Sequence, residues 1–197
     1  MRLLLASLAA IGCGPPHVFH KEPERGCAEI TLASAEDVAA TAGCREVESI
    51  TLRTGMALDL KPLGRLETIR GALTIGPSVG FSELALPRLR RAGAIRIVAN
   101  GDLHGVFLPA LEHAAAFEVE GNHGLSTISA PKLAAVDGAF AVTGNAALEV
   151  LSVEALAQAG KVAVANNPKL TLVDSKLPDL APPAPQPDRS PDPVADP

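Results

Sequence analysis

The segment Gly93-Ala94-Ile95-Arg96-Ile97-Val98-Ala99-Asn100-Gly101-Asp102-Leu103 returns in pattern as Gly138-Ala139-Phe140-Ala141-Val142-Thr143-Gly144-Asn145-Ala146-Ala147-Leu148. Each copy carries a short alternating apolar segment, then an asparagine and a leucine. Working outward, the alternating segment recurs as Ile50-Thr51-Leu52, Leu73-Thr74-Ile75, Ile95-Arg96-Ile97, Phe117-Glu118-Val119, Phe140-Ala141-Val142 and Val162-Ala163-Val164, at steps of 23, 22, 22, 23 and 22 residues. Period-two alternation predicts a strand of about three to five residues with the named apolar pair inward. The other positions keep the same step: Asn100, Asn122, Asn145 and Asn166 or Asn167, and Leu103, Leu125, Leu148 and Leu170. A further column runs Leu66, Leu89, Leu111, Leu133 and Leu156, three of these preceded by Pro87, Pro109 and Pro131. Gly71, Gly93 and Gly138 stand just before their segments, where a tight turn into the strand is expected.

One such unit cannot bury an apolar face alone, whereas stacked units can. The links between segments are too short and too broken by proline and glycine for strand–helix–strand crossovers. The sequence therefore predicts an all-β solenoid, a parallel β-helix of six coils forming a rod ~25 Å long at the usual strand spacing. Asparagine suits its turns because the short amide bonds local backbone and tolerates left-handed dihedrals, and stacked amides can bond one another. Ahead of the first rung, Ser34 to Gly43 reads as a helix with an N-cap serine, Asp37 at N3 and a terminal glycine. It would close the open end of the rod.

Residues 1–12 combine Arg2 with a largely apolar run from Leu3 to Ile11, about half of what a spanning helix needs, and read as an export signal. The ending Ala10-Ile11-Gly12-Cys13 resembles the bacterial lipobox, which implies acylation of Cys13. Stable anchoring then follows from two or more acyl chains. Gly14 lacks the acidic character of an inner-membrane retention signal, so the expected location is the cell surface or outer membrane. In an exported protein the remaining cysteines, Cys27 and Cys44, form a disulfide pair, since no histidine or cysteine cluster surrounds either as a metal site would need. Residues 13–26, with three prolines, read as a tether, residues 27–177 as the solenoid, and the Pro- and Asp-rich residues 178–197 as a disordered tail.

The pattern Gly-x-Leu-x-Ile-x-x-Asn-x-x-Leu with a Pro-x-Leu step resembles the receptor L-domain family, a leucine-rich-repeat-like β-helix also carried by bacterial surface lipoproteins. The resemblance spans residues 27–177 and implies a right-handed β-helix, an N-terminal cap held by Cys27 and Cys44, and a protein-binding role. It carries no ligand-binding residue across.

Composition narrows the function further. With 17 basic against 22 acidic residues and a net charge of −5, the chain offers no clustered positive surface for nucleic acid. The absence of Trp and Tyr removes most stacking surface for bases and sugars. No Gly-x-Ser-x-Gly elbow, phosphate loop or His-Glu-x-x-His is present, and His104, His113 and His123 do not stack in the 22-residue register. No cofactor, metal or small-molecule substrate is therefore expected, and a polysaccharide-acting β-helix enzyme is a minor alternative. Two outward rows supply the candidate binding face: Thr51, Thr74, Arg96, Glu118, Ala141, Ala163, and Arg53, Gly76, Val98, Glu120, Thr143, Ala165. Of these, Arg53, Arg96, Val98, Glu118, Glu120 and Thr143 carry the chemistry. The expected function is a non-enzymatic, lipid-anchored surface module binding a protein or surface polymer, with a structural envelope spacer as the alternative. Intact-mass measurement of membrane-extracted protein should find a lipid adduct on Cys13, and Cys13→Ser should abolish it; an unmodified Cys13 would refute the anchor.

Overall fold

The structure is a computed structural model that describes residues 27–177 and Leu180. Cys13, the signal segment, the tether and the remainder of the tail lie outside the described residues. In chain order the elements are β1 (Glu29–Leu32), α1 (Ala35–Ala40), β2 (Glu46–Val47), β3 (Ser49–Leu52), a 3-10 turn (Lys61–Arg65), β4 (Thr68–Ile69) and β5 (Leu73–Ile75). They continue with β6 (Glu83–Ala85), β7 (Arg91–Val98), β8 (Gly105–Phe107), β9 (His113–Glu120) and β10 (Thr127–Ser129). The last four are β11 (Ala135–Thr143), β12 (Val150–Val153), β13 (Gln158–Ala165) and β14 (Leu172–Ser175).

These strands form a right-handed parallel β-solenoid of about seven turns. The main sheet runs β1-β3-β5-β7-β9-β11-β13, with β2 and β4 attached beside it; a second sheet runs β14-β12-β10-β8-β6. All six expected rungs pair in the expected register: Ile50 beside Leu73, Leu73 beside Ile95, Ile95 beside Phe117, Phe117 beside Phe140 and Phe140 beside Val162. Every pairing is parallel. The Phe117 and Phe140 rings stack in the core with centroids 5.4 Å apart. The leucine column of Leu66, Leu89, Leu111, Leu133 and Leu156 is fully buried.

Several details depart from the sequence expectation. A seventh rung, β1, precedes the helix; Ile30 pairs with Ile50 only 20 residues on, a step outside the repeat. The strands β7, β9, β11 and β13 are eight or nine residues long, not three to five. Gly93 and Gly138 lie inside strands, not in turns that lead into them. There they allow a bend: a side chain at Gly93 would collide with the Gly71 carbonyl of the coil below, and the β11 register shifts across Gly138. The second sheet has no forecast at all. Its strands each contribute few buried side chains, such as Leu84, Val106 and Ile128, so alternation is too brief to read.

The helix lies ahead of the six expected rungs and stops at Thr41. Asp37, though one methylene short of glutamate, completes a capping box: Ser34 Oγ accepts the Asp37 N–H, and the Asp37 carboxylate accepts the N–H of Ser34. Hydrogen bonds from the Ala33 N–H, the Ser34 hydroxyl and the Ser34 N–H hold the Asp37 carboxyl below the usual range. Its contribution is therefore present above the ordinary carboxylate pKa and lost as pH falls through the lowered value. Val38 is the helix's buried residue, and Cys27 is disulfide-bonded to a buried Cys44 with Cα atoms 5.7 Å apart. At the far end Leu180, which sequence reading assigns to the tail, is buried with the core and donates its N–H to the Leu177 carbonyl.

One corner of the coils holds a buried amide column. Asn100 N–H donates to Asn122 Oδ1 (3.0 Å), Asn122 N–H to Asn145 Oδ1 (3.0 Å), and Asn145 N–H to Asn167 Oδ1 (2.9 Å). Each Nδ2 in turn reaches a carbonyl of the preceding coil, Ile75, Ile97, Val119 and Val142 respectively. Asn167, not Asn166, completes the column. Asn166 fills the preceding left-handed position, with φ 57° against 53° at Ala99, 65° at Gly121 and 68° at Gly144. One coil earlier that position is Pro77, whose ring forbids a positive φ, and Gly76 takes it instead at φ 105°. There the column changes chemistry: Ser78 stands beside Asn100, and its Oγ accepts the Thr54 N–H at 3.1 Å.

Two substitutions separate packing from amide bonding. Phe117→Ala should cost ~3–5 kcal/mol, since a fully buried ring between two rungs leaves a cavity. Asn122→Ala should cost about 3 kcal/mol or more, because the Asn100 N–H and the Ile97 carbonyl each lose a buried partner. Urea unfolding should read both as a lowered midpoint at unchanged slope.

Candidate functional site

The outward surface of the main sheet is built by the same pitch as the core. Arg96 lies beside Thr74 on one side and Glu118 on the other, and Glu118 is followed by Ala141 and Ala163. The first outward row thus stands as expected, and Thr31 of β1 extends it beyond Thr51. In the second row Val98, Glu120, Thr143 and Ala165 are in register. Arg53 is exposed but falls after the end of β3, and its expected neighbour Gly76 falls after β5, where the chain turns. Of the six candidate face residues, Val98, Glu118, Glu120 and Thr143 therefore align with Arg96 on one face, whereas Arg53 sits at its margin.

Arg96 Nε meets Glu118 Oε2 at 3.0 Å, both side chains partly exposed. Among the described residues, further side-chain contacts join adjacent coils: the ion pairs Arg45 with Glu67, Arg70 with Glu46 and Arg90 with Glu112, and the hydrogen-bond contact of His113 with Asp137. A hydrogen bond and the charge of Glu46 raise the Arg70 guanidinium above its ordinary pKa. Exposed pairs of this kind are screened by solvent and tune the stacking more than they hold it. The face then changes character along the rod, from Arg and Glu in the middle coils to Ala141, Ala163 and Ala165 in the last two.

The histidines and serines that a hydrolase would need are spread apart. His113 Nε2 contacts Asp137 Oδ1 at 3.0 Å on the surface, while Ser126 Oγ donates to the His104 carbonyl and Ser78 is buried in the amide column. Among the described residues no three His, Cys, Asp or Glu side chains group as metal ligands would. No described helix is long and apolar enough to cross a membrane.

A feature that sequence reading missed is a cleft of about 380 Å³ on the opposite side of the rod, lined among others by Leu58, Asp59, Leu60, Phe81, Glu83 and Ala85. It arises because the second sheet stops at β6. In the coil before it, Leu58-Asp59-Leu60 alternates like a strand, but Asp59 Oδ1 accepts the Lys61 N–H and Leu60 leaves the extended region at φ −87°, ψ 1°. Pro62 then enters the 3-10 turn. The Asp-x-Lys-Pro sequence was the available signal, an Asx turn followed by a helix-starting proline.

No protein-family model matches the chain, and neither the curated proteins nor the solved structures give a match. Fold and surface together define a class: a parallel β-solenoid scaffold with a regular, charged-to-neutral sheet face and a lateral cleft.

Proposed function

We propose that this chain is an exported, non-enzymatic binding module of the receptor L-domain type, anchored to the cell surface or outer membrane through lipid on Cys13. Its ligand is a protein or a surface polymer, received on the face carrying Arg96, Val98, Glu118, Glu120 and Thr143 with Arg53 at the edge. The observation that carries this reading is the division of labour among side chains. The inward rungs and the amide column are consumed by the fold, whereas the outward rows form an in-register surface whose side chains are joined, among the described residues, by the Arg96–Glu118 pair alone. Residues kept in rows without a part in packing are free to meet a partner, and in-register stacking presents them as a rigid array. A structural spacer is the second reading, favoured by the alanines Ala141, Ala163 and Ala165, which leave Thr143 as the polar side chain of the outward rows in the last two coils.

Purified full-length protein should retain a saturable partner from surface extracts. The combined change Arg96→Ala, Glu118→Ala and Glu120→Ala should lose that partner with thermal stability nearly unchanged, as exposed substitutions move stability little. Saturable capture that survives the triple change would overturn the face assignment, and no saturable capture would favour the spacer.

A further inference from the structure

The cleft beside β6 is an unfinished edge of a sheet. Within β6 the groups that face β8 are fixed by its hydrogen bonds: the Leu86 N–H donates to the Phe107 carbonyl, and the Ser82 carbonyl accepts the His104 N–H. Backbone groups alternate in direction along a strand, so the N–H and C=O of Glu83 and Ala85 point the other way, into the cleft. The second sheet ends at β6, and no described strand pairs with that side. Nor do Glu83 and Ala85 share any backbone hydrogen bond with the opposite wall at Leu58, Asp59 or Leu60. Two donors and two acceptors therefore stand in a row along a cleft whose lining mixes apolar and charged side chains, which is the edge that natural sheets usually cover or blunt.

Resting on the binding-module reading above, we propose that this edge takes an extended polypeptide segment of a partner protein as an added strand. The backbone of Glu83 and Ala85 supplies the hydrogen bonds, as in other strand-addition complexes. Alternate side chains of the segment enter the cleft against Leu58, Leu60 and Phe81, whose apolar surfaces line it. Charge decides the rest of the segment. Asp59 and Glu83 place carboxylates on the two walls and are both exposed, with Lys61 the cation of the lining. A lysine or arginine in the segment complements that pair, whereas an acidic segment meets repulsion.

The test uses a random linear peptide library panned against the full-length protein, followed by synthetic peptides of the enriched sequences. Enriched sequences should alternate apolar residues with a Lys or Arg and should slow hydrogen exchange at the Glu83 and Ala85 amides. Ala85→Pro removes one outward N–H without touching the β8 ladder, since proline is tolerated on an edge strand, and should weaken binding about tenfold or more. Should that variant not fold, peptides N-methylated at alternate residues supply the same test on unmodified protein, with binding lost in one of the two methylation registers. Peptides that bind the Ala85→Pro protein as tightly as the original, or tolerate both methylation registers, would overturn strand addition. So would failure to enrich any peptide. If the peptide tests fail while surface extracts yield a partner lost on the Arg96, Glu118 and Glu120 changes, the binding-module reading stands and this proposal falls.

Discussion

The column of buried amides formed by Asn100, Asn122, Asn145 and Asn167 holds successive coils in register, because each bonds backbone that no strand reaches. At the corner where the main sheet ends, each coil must turn, and a turn buried between neighbours leaves backbone groups with no strand to bond them. Asn122 resolves this for three coils at once: it accepts the Asn100 N–H, donates to the Ile97 carbonyl, and bonds its own amide nitrogen to Asn145 Oδ1. Repeated at Asn145 and Asn167, the arrangement fixes both the height and the angular position of each coil against the next. A leucine at this corner would pack, but would leave those groups unpaired, at ~1–3 kcal/mol for each.

Once the pitch is fixed, equivalent residues of successive coils lie side by side across the molecule. That is why Phe117 stacks on Phe140 inside and Arg96 meets Glu118 outside, both about one repeat apart. The same pitch explains where regularity fails. At Pro77 the left-handed turn position is closed to the chain, Gly76 takes over, and Ser78 replaces the column asparagine. On the other side of the rod, nearer the N-terminal cap, Asp59 and Pro62 divert the chain before a strand of the second sheet can form. The first coils are thus held by other means: the capping box of α1, the disulfide and the 3-10 turn. The cleft lies at the boundary between that irregular beginning and the regular stack.

What the sequence determined by itself is the set of columns. Inward rungs, asparagines and leucines recur at a constant step because each needs the same environment in every coil, so position in the repeat is position in the core. The first outward row follows from the rungs by alternation, which sets Arg96 beside Glu118 one repeat on. Ser34 and Asp37 marked the helix start because capping is a local hydrogen-bonding matter. The pairing of Cys27 with Cys44 was likewise legible, as the two cysteines of the domain with no metal cluster about them.

Features whose signal lies in the backbone or between distant segments emerge in the folded chain alone. The second sheet is held by carbonyls and N–H groups, and strands with a single well-buried side chain such as Ile128 leave almost no alternation to read. The β1 rung is separated from the next by an inserted helix, which breaks the step on which repeat detection relies. Arg53 fell out of its row because the chain turns at Gly76, a coil away, and a constant step cannot foresee a local interruption. The cleft had the same origin: an edge is defined by the strand that does not arrive, and side-chain periodicity records burial, not the absence of a neighbour.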